Sequence, residues 1–235
     1  MVKKIIIFSI CIFHIQLLYA QWLLNFGTAK TVQPNDFVFI SGTGSQLTFM
    51  KNPATTNFTP FLAHAGLRLG ISKNIDIGYR LCTLPLPWSS VGPTLSSAFD
   101  AKFRLTNITA PYQVALIAGG GYAYLKILDA NKSAWSEGLA LSVTRQINRN
   151  NAITINGRVL QTIIPSAKGG KDNNYVNVLG GSIGLSTDIN SVIGIMPEIG
   201  VFNMIGKIDQ AVSDGIGIQV GVVLKVDFKK SSYLK

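Results

Sequence analysis

Few side chains in this 235-residue chain are equipped for chemistry. Of its two histidines, His14 sits in an apolar leader, so His64 is the imidazole left to act as a base near neutral pH. His64 and Asp100 both fall near the loop ends of alternating segments, a placement that would suit a His–Asp hydrolytic dyad at a rim. The plainer reading of a lone inward histidine is a residue whose hydrogen bonds are met by its surroundings. Outside the leader, one cysteine (Cys82) and one histidine make no metal-ligand set. Gly217 and Gly221 recur at strand spacing, without the Lys-Ser/Thr and following helix of a phosphate loop. No catalytic, cofactor-binding or metal-binding residue is expected.

The remaining candidates are charges placed at every second residue, and the elements that hold them are strands. Residues 61–84 read as a hairpin turning at Lys73-Asn74. Phe61, Ala63, Ala65, Leu67, Leu69 and Ile71 share one face of the first arm, and Ile75, Ile77, Tyr79 and Leu81 continue it in the second. The opposite face carries His64, Arg68, Asp76, Arg80 and Cys82. Residues 98–106 set Phe99, Ala101, Phe103 and Leu105 against Asp100, Lys102 and Arg104, three charges that a dry core would hold at high cost. A soluble sandwich would wet the charged face, whereas a transmembrane barrel turns the greasy face to lipid and the charged one to its lumen.

Extending the alternation along the chain gives ten strands. The tidiest, residues 216–228, puts Ile216, Ile218, Val220, Val222, Leu224, Val226 and Phe228 on one face. Short connections fall at Lys73, 107–111, 148–151 and 189–191, and Gly-, Ser-, Asn- and Pro-rich stretches at 43–60, 85–97, 128–134, 165–174 and 203–214 read as long loops. Long and short alternate through all nine connections, which neither a β-sandwich nor a β-solenoid predicts. The expected fold is all-β, a single antiparallel up-and-down transmembrane β-barrel of about ten strands with both termini in the periplasm. Residues 21–35 show no sustained alternation and read as a lead-in to the first strand.

Composition agrees. Charged residues make up 14% of the chain, against about a quarter in soluble domains. Residues 1–20 combine Lys3-Lys4, an apolar run and Ala20, the form of a signal peptide cleaved before Gln21, which leaves 21–235 as the barrel domain. Removing Lys3 and Lys4 lowers the formal charge from +10 to +8. With no basic cluster or aromatic–basic motif, that surplus points to lumen, loops or anionic lipid headgroups and not to nucleic acid. Cys82 alone remains after cleavage, so no internal disulfide can form.

The signal ending LLYAQ, the lead-in TAKTVQPNDFVFISGTG, the hairpin LGISKNIDIGYRL, the strand PEIGVF and the final GIGIQVGVVLKVDF resemble the outer-membrane β-barrel proteins of Bacteroidetes-type bacteria. The resemblance covers essentially the whole mature chain and is architectural. It implies residence in the cell outer membrane among outer-membrane lipid and insertion by the barrel-assembly machinery. Such barrels commonly end in an aromatic residue; here Phe228 precedes KKSSYLK, so Phe228 or Tyr233 would serve as that signal. A hydrolase of omptin-like type would use further acidic residues for which no motif is present.

The lumen-facing polar set is His64, Arg68, Asp76, Arg80, Asp100, Lys102, Arg104, Arg158, Glu198, Lys225 and Asp227. These groups either pair across a narrow lumen or line a path for an anion or other small solute. Ten strands leave little free water column, because eight-strand barrels are already filled by their side chains. Cross-lumen pairing is the favoured reading, which makes the chain a structural envelope protein or a narrow channel. Asp100, Glu198 and Asp227 are the acids available to Arg68 and Arg80.

Overall fold

The computed structural model describes residues 27–51, 54–83, 95–127, 130–164, 174–208 and 211–228. The leader at 1–20 and the tail with Tyr233 lie outside the described residues. Ten strands follow in order: β1 (Phe37–Lys51), β2 (Ala54–Ser72), β3 (Ile75–Thr83), β4 (Leu95–Arg104), β5 (Tyr112–Ile127), β6 (Ala130–Gln146), β7 (Asn151–Ile164), β8 (Asn174–Asp188), β9 (Ile193–Ile208) and β10 (Ala211–Phe228). Each pairs antiparallel with its neighbours in sequence, and β1 pairs with β10 from Phe37↔Phe228 to Met50↔Gly215, which closes the barrel. No sheet edge is left, the condition for strands to stand in hydrocarbon.

Period two sorts the side chains as the pleat requires. Leu67, Leu69, Tyr79, Leu81, Phe99, Leu139, Leu141, Ile155, Val159, Ile199 and Val222 lie on the exposed outer wall, while Arg68, Asp76, Asp100, Lys102, Thr154 and Glu198 are buried inside. An exposed apolar belt of this extent far exceeds what a water-facing monomer carries, and it fits acyl chains. Two aromatic contacts on the β5–β6 pair mark its limits. At one end Arg145 sits 5.5 Å from the centroid of the Tyr112 ring, and at the other Tyr122 meets Trp135 edge-on at 5.1 Å. The ten-residue rise from Tyr112 to Tyr122 is about 33 Å along the strand, which a strand tilt of about 40° reduces to about 25 Å, the height of an outer-membrane apolar band.

The rim near Tyr112 also holds both ends of the sheet, where Phe37 and Phe228 stack with ring centroids 4.8 Å apart, and the connections at 73–74, 105–111, 147–150 and 189–192. It is called the terminal rim below, and the opposite one the far rim.

Three of the five expected long loops are largely strand, and those at 85–97 and 165–174 lie mostly outside the described residues. β1 and β2 are separated by residues 52–53, β5 and β6 by 128–129, and β9 and β10 by 209–210, so most of the stretches read as loops at 43–60, 128–134 and 203–214 is paired. Pairs such as Met50↔Thr55, Lys126↔Asn131 and Lys207↔Val212 continue the ladder there. Strand pairing is made by the backbone, and a ribbon that rises above the apolar band can carry polar side chains on both faces, which erases the period-two signal. Strand lengths accordingly reach 19 residues in β2, beyond the ten or so needed to span. On the β1–β2 pair the register slips between Gly44 and Gln46, where Leu62 and Thr59 are the partners, so β2 carries one extra residue beside Pro60.

Val222 lies on the outer wall of β10, about half way up the band from Phe228. Val222→Arg is expected to lower the unfolding free energy in lipid by about 2–4 kcal/mol. A change below about 0.5 kcal/mol in reversible denaturation from vesicles would contradict this placement of the belt.

Candidate functional site

At the terminal rim the segment 27–36 lies across the mouth of the lumen. It crosses the mouth from β6 to β1 with backbone groups bonded to the wall. The Ala29 N–H donates to Thr144 Oγ1 at 2.7 Å, and the Val32 N–H donates to Asp76 Oδ2 at 2.9 Å. The Thr31 hydroxyl donates to the Lys73 carbonyl at 2.7 Å, and Lys102 Nζ donates to the carbonyls of Thr28 and Lys30 at 2.8 and 3.1 Å. Lys30 Nζ reaches Gln146 Oε1 on the far side. Ala29 and Thr31 are buried by this arrangement.

The segment then reverses through Gln33-Pro34-Asn35-Asp36. The Asp36 N–H donates to the Gln33 carbonyl at 3.0 Å, Pro34 fixes the first corner, and Asn35 has φ of 65°. That is the residue pattern of a type II turn. Gly70 makes the tight approach possible, since a Cβ there would lie 1.9 Å from the Gln33 carbonyl oxygen. The Gly70 N–H donates to the Asp36 carbonyl and its own carbonyl accepts from the Asn35 N–H, both at 3.0 Å.

Behind this strap lies a layer of ion pairs, and the sheet register explains it. Arg68, Gly78 and Asp100 stand side by side on β2, β3 and β4. A Cβ on Gly78 would sit 3.0 Å from Arg68 Cζ, so the missing side chain is the floor over which the guanidinium reaches Asp100. Arg68 donates through Nε to Asp76 Oδ1 at 2.7 Å and through Nη2 to Asp100 Oδ1. Arg80 Nη2 donates to Asp100 Oδ2 at 3.2 Å, so one carboxylate holds the two arginines together. Lys102 Nζ stands 3.9 Å from Asp76 Oδ2, which ties strap and ion layer to the same carboxylate.

The other charges fall into separate groups. Arg104 Nη2 donates to Asn74 Oδ1 at 2.8 Å beside the β2–β3 turn. Across the lumen, Glu198 Oε1 accepts from Asn156 Nδ2 at 3.2 Å and from the Ser182 hydroxyl. Arg158 enters from β7 and lines a cavity with Arg80 and Asp100. Lys225 bridges Asp188 at 3.4 Å and Asp227 at 2.9 Å at the more open terminal rim. His64 does not stand at a rim. With β2 running to Ala54 it is mid-strand and buried, close enough to the wall that a Cβ on Gly42 would lie 2.7 Å from its Nε2. Asp100, likewise within β4, is occupied by Arg68 and Arg80.

Above the ion layer the lumen holds apolar clusters beside hydrogen-bonded polar side chains: Gln219 Nε2 donates to Gln46 Oε1 at 3.0 Å, and Gln46 Nε2 to Thr48 Oγ1 at 3.1 Å. Met50, Leu160, Val176, Val178, Phe202 and Met204 form one buried cluster, with the Phe202 ring seated over Gly217, where a Cβ would be 2.1 Å from Cζ. Leu62, Cys82, Met196 and Val223 form another, with Ile40 against it. Among the described residues no group of three His, Cys, Asp or Glu side chains is placed to hold a metal ion.

No protein-family model matches the chain, and no curated protein matches it. Solved structures do. The outer membrane protease OmpT from Escherichia coli superposes with a TM-score of 0.50 at 9% identity, over 86% of this chain and 100% of that one. Neisserial surface protein A gives 0.39 at 10% identity over 82% and 97%, and Ail of Yersinia pestis 0.31 at 10% over 81% and 99%. The chain therefore has the closed antiparallel barrel fold of outer-membrane β-barrel proteins, and at such identity the likeness concerns the fold alone.

Asp100→Asn would leave Arg68 and Arg80 facing each other without their shared carboxylate, an expected loss of about 3–5 kcal/mol. Asp214→Asn removes an exposed bridge to Lys51 and is expected to cost less than about 1 kcal/mol. Urea titration of the two refolded variants should separate them, and equal losses would contradict the buried network.

Proposed function

We propose that this chain is a non-enzymatic outer-membrane protein of the cell envelope whose resting lumen is shut, a structural barrel and not a diffusion pore. The observation that carries the reading is the strap: residues 28–32 are bonded to β3, β4 and β6 across the mouth, directly over the Arg68–Asp76–Asp100 layer. A hydrated pore needs a continuous polar path, and here the path meets backbone, paired charges and then the Phe202 cluster. In the membrane the terminal rim faces the periplasm and the far rim the outside. Residues 1–20 export the chain, and the barrel-assembly machinery inserts it into outer-membrane lipid with Phe228 beside Phe37 at the closing seam. The motif likeness to Bacteroidetes-type barrels belongs to the same proposal.

The second reading, a narrow channel for an anion or other small solute, requires withdrawal of the strap. It is favoured by the way Lys102 grips carbonyl oxygens and not side chains, a hold indifferent to most of the strap's sequence. The omptin-like hydrolase is the weakest reading, because His64 lies in the sealed interior and Asp100 is spent on two arginines.

In planar bilayers the mature chain is expected to give no steady conductance, and deletion of residues 21–32 to produce discrete steps. Steady conductance from the intact chain, equal to that of the deletion, would overturn the closed reading. Peptide cleavage abolished by His64→Ala would overturn the non-enzymatic one. For orientation, a protease site within 165–173 should be cut on intact cells and one at 148–150 should survive. The reverse pattern would invert the barrel.

A further inference from the structure

The outer wall of β6, β7 and β8 departs from the chemistry of the rest of the belt. Along the register Trp135, Ile163 and Tyr175 stand side by side, and the next outward row toward the membrane centre is Glu137, Gln161 and Asn177. Leu139, Val159 and Leu179 make the row beneath, each more than half exposed. A carboxylate and two amides therefore lie on the lipid side between apolar rows, below the Tyr122–Trp135 contact that marks the limit of the band. Acyl chains offer these groups no hydrogen bond, and an outward charge weakens a barrel that meets only lipid. Gln161 Nε2 donates to Asn177 Oδ1 at 3.0 Å, which meets part of the demand and leaves the Asn177 Nδ2 group to donate elsewhere.

The same wall carries a hollow. Gly157 and Gly181 are register partners two rows below the amides. A Cβ on Gly157 would meet nothing within 4 Å, and one on Gly181 only the Asn156 carbonyl oxygen at 3.1 Å. The stagger of the strands decides what stands level with this hollow. Followed partner by partner round all ten strands, the register carries Phe37 of β1 to Phe49, a climb of 12 residues toward the far rim, or about 1.2 per strand. Leu139 leads along its row to Leu179 two strands on, so the outward residue of β8 at the height of Leu139 is Gly181.

That relation makes the wall complementary to itself. If two copies meet about a two-fold axis along the membrane normal through β7, β6 of each faces β8 of the other at equal height. Leu139 then enters the hollow at the other copy's Gly181, the two Gly157 backbones meet near the axis, and Glu137 comes beside the other copy's Gln161 and Asn177, an acceptor among amide donors. We propose that the β6–β8 wall is the interface of a homodimer within the membrane. A second copy supplies both the apolar side chain that fills the hollow and the donors that Glu137 needs. The inference rests on the lipid-facing assignment of the outer wall and is independent of whether the lumen is shut, so conductance does not bear on it.

Cross-linking in vesicles tests the geometry. Gly157→Cys, whose side chain has open space, is expected to form a disulfide with its own kind under mild oxidation, whereas Ala65→Cys on the opposite wall is not. In sedimentation equilibrium of the mature chain in density-matched detergent, Glu137→Leu and Gly181→Leu are each expected to weaken the dimer at least tenfold, and Ala65→Leu to leave it unchanged. All variants should keep the gel shift of the folded barrel, since each adds apolar surface on the lipid side. A monomer in both measurements, or equal cross-linking at positions 157 and 65, would overturn the interface. A monomer that carries a co-purifying lipid lost in Glu137→Leu would assign the wall to a lipid headgroup and overturn the dimer equally.

Discussion

Everything in this protein depends on the pairing of β1 with β10. In hydrocarbon an unpaired N–H or carbonyl costs several kcal/mol, so a sheet that crosses a membrane must leave no edge. The register from Phe37↔Phe228 to Met50↔Gly215 removes it. Once the ladder closes at ten strands, the size of the interior follows, and with it the problem that shapes the lumen: inward side chains stand too close together to be solvated separately. Polar groups inside must satisfy one another or be satisfied by other parts of the chain.

The lumen meets this demand in three ways. Asp76 and Asp100 bind Arg68, Arg80 and Lys102 across β2, β3 and β4, with Gly78 as the gap that lets Arg68 lie flat between them. Residues 28–32 supply backbone partners, so that Lys102 spends its donors on carbonyls and Asp76 accepts an amide as well as a guanidinium. Toward the far rim the demand is reduced by the apolar cluster of Phe202, Met204, Met50 and their neighbours, and the Gln219–Gln46–Thr48 chain of hydrogen bonds meets what remains on β1 and β10. The strap is thus part of the ion network and not an appendage laid over it.

Period two made the strands, their faces and the barrel class legible, because lipid outside and a crowded lumen inside impose opposite chemistries on alternate residues. It failed where those demands lapse. Above the apolar band, stretches such as 54–59 and 203–208 pair through their backbones although their polar and apolar residues do not alternate cleanly, so they read as loops, with Gln46 to Met50 alone suggesting a small strand extension. The misplaced strand end then put His64 near a rim, when it lies mid-strand. The partners of Arg68 were hidden for another reason: parity tells which way a side chain points, but only register tells that Gly78 lies between Arg68 and Asp100. The strap has no periodicity at all, and its one local signal is the Pro34-Asn35 turn.

The central claim is that residues 27–36 are fixed inside the mouth as part of the fold. Amide hydrogen exchange of the refolded barrel measures this at single positions, since the Ala29 and Val32 N–H groups donate to Thr144 and Asp76. Protection of both amides comparable to that of the β2–β3 ladder is the predicted result. Exchange at the rate of a free peptide, with the ladder still protected, would show that the strap is loose and the mouth open.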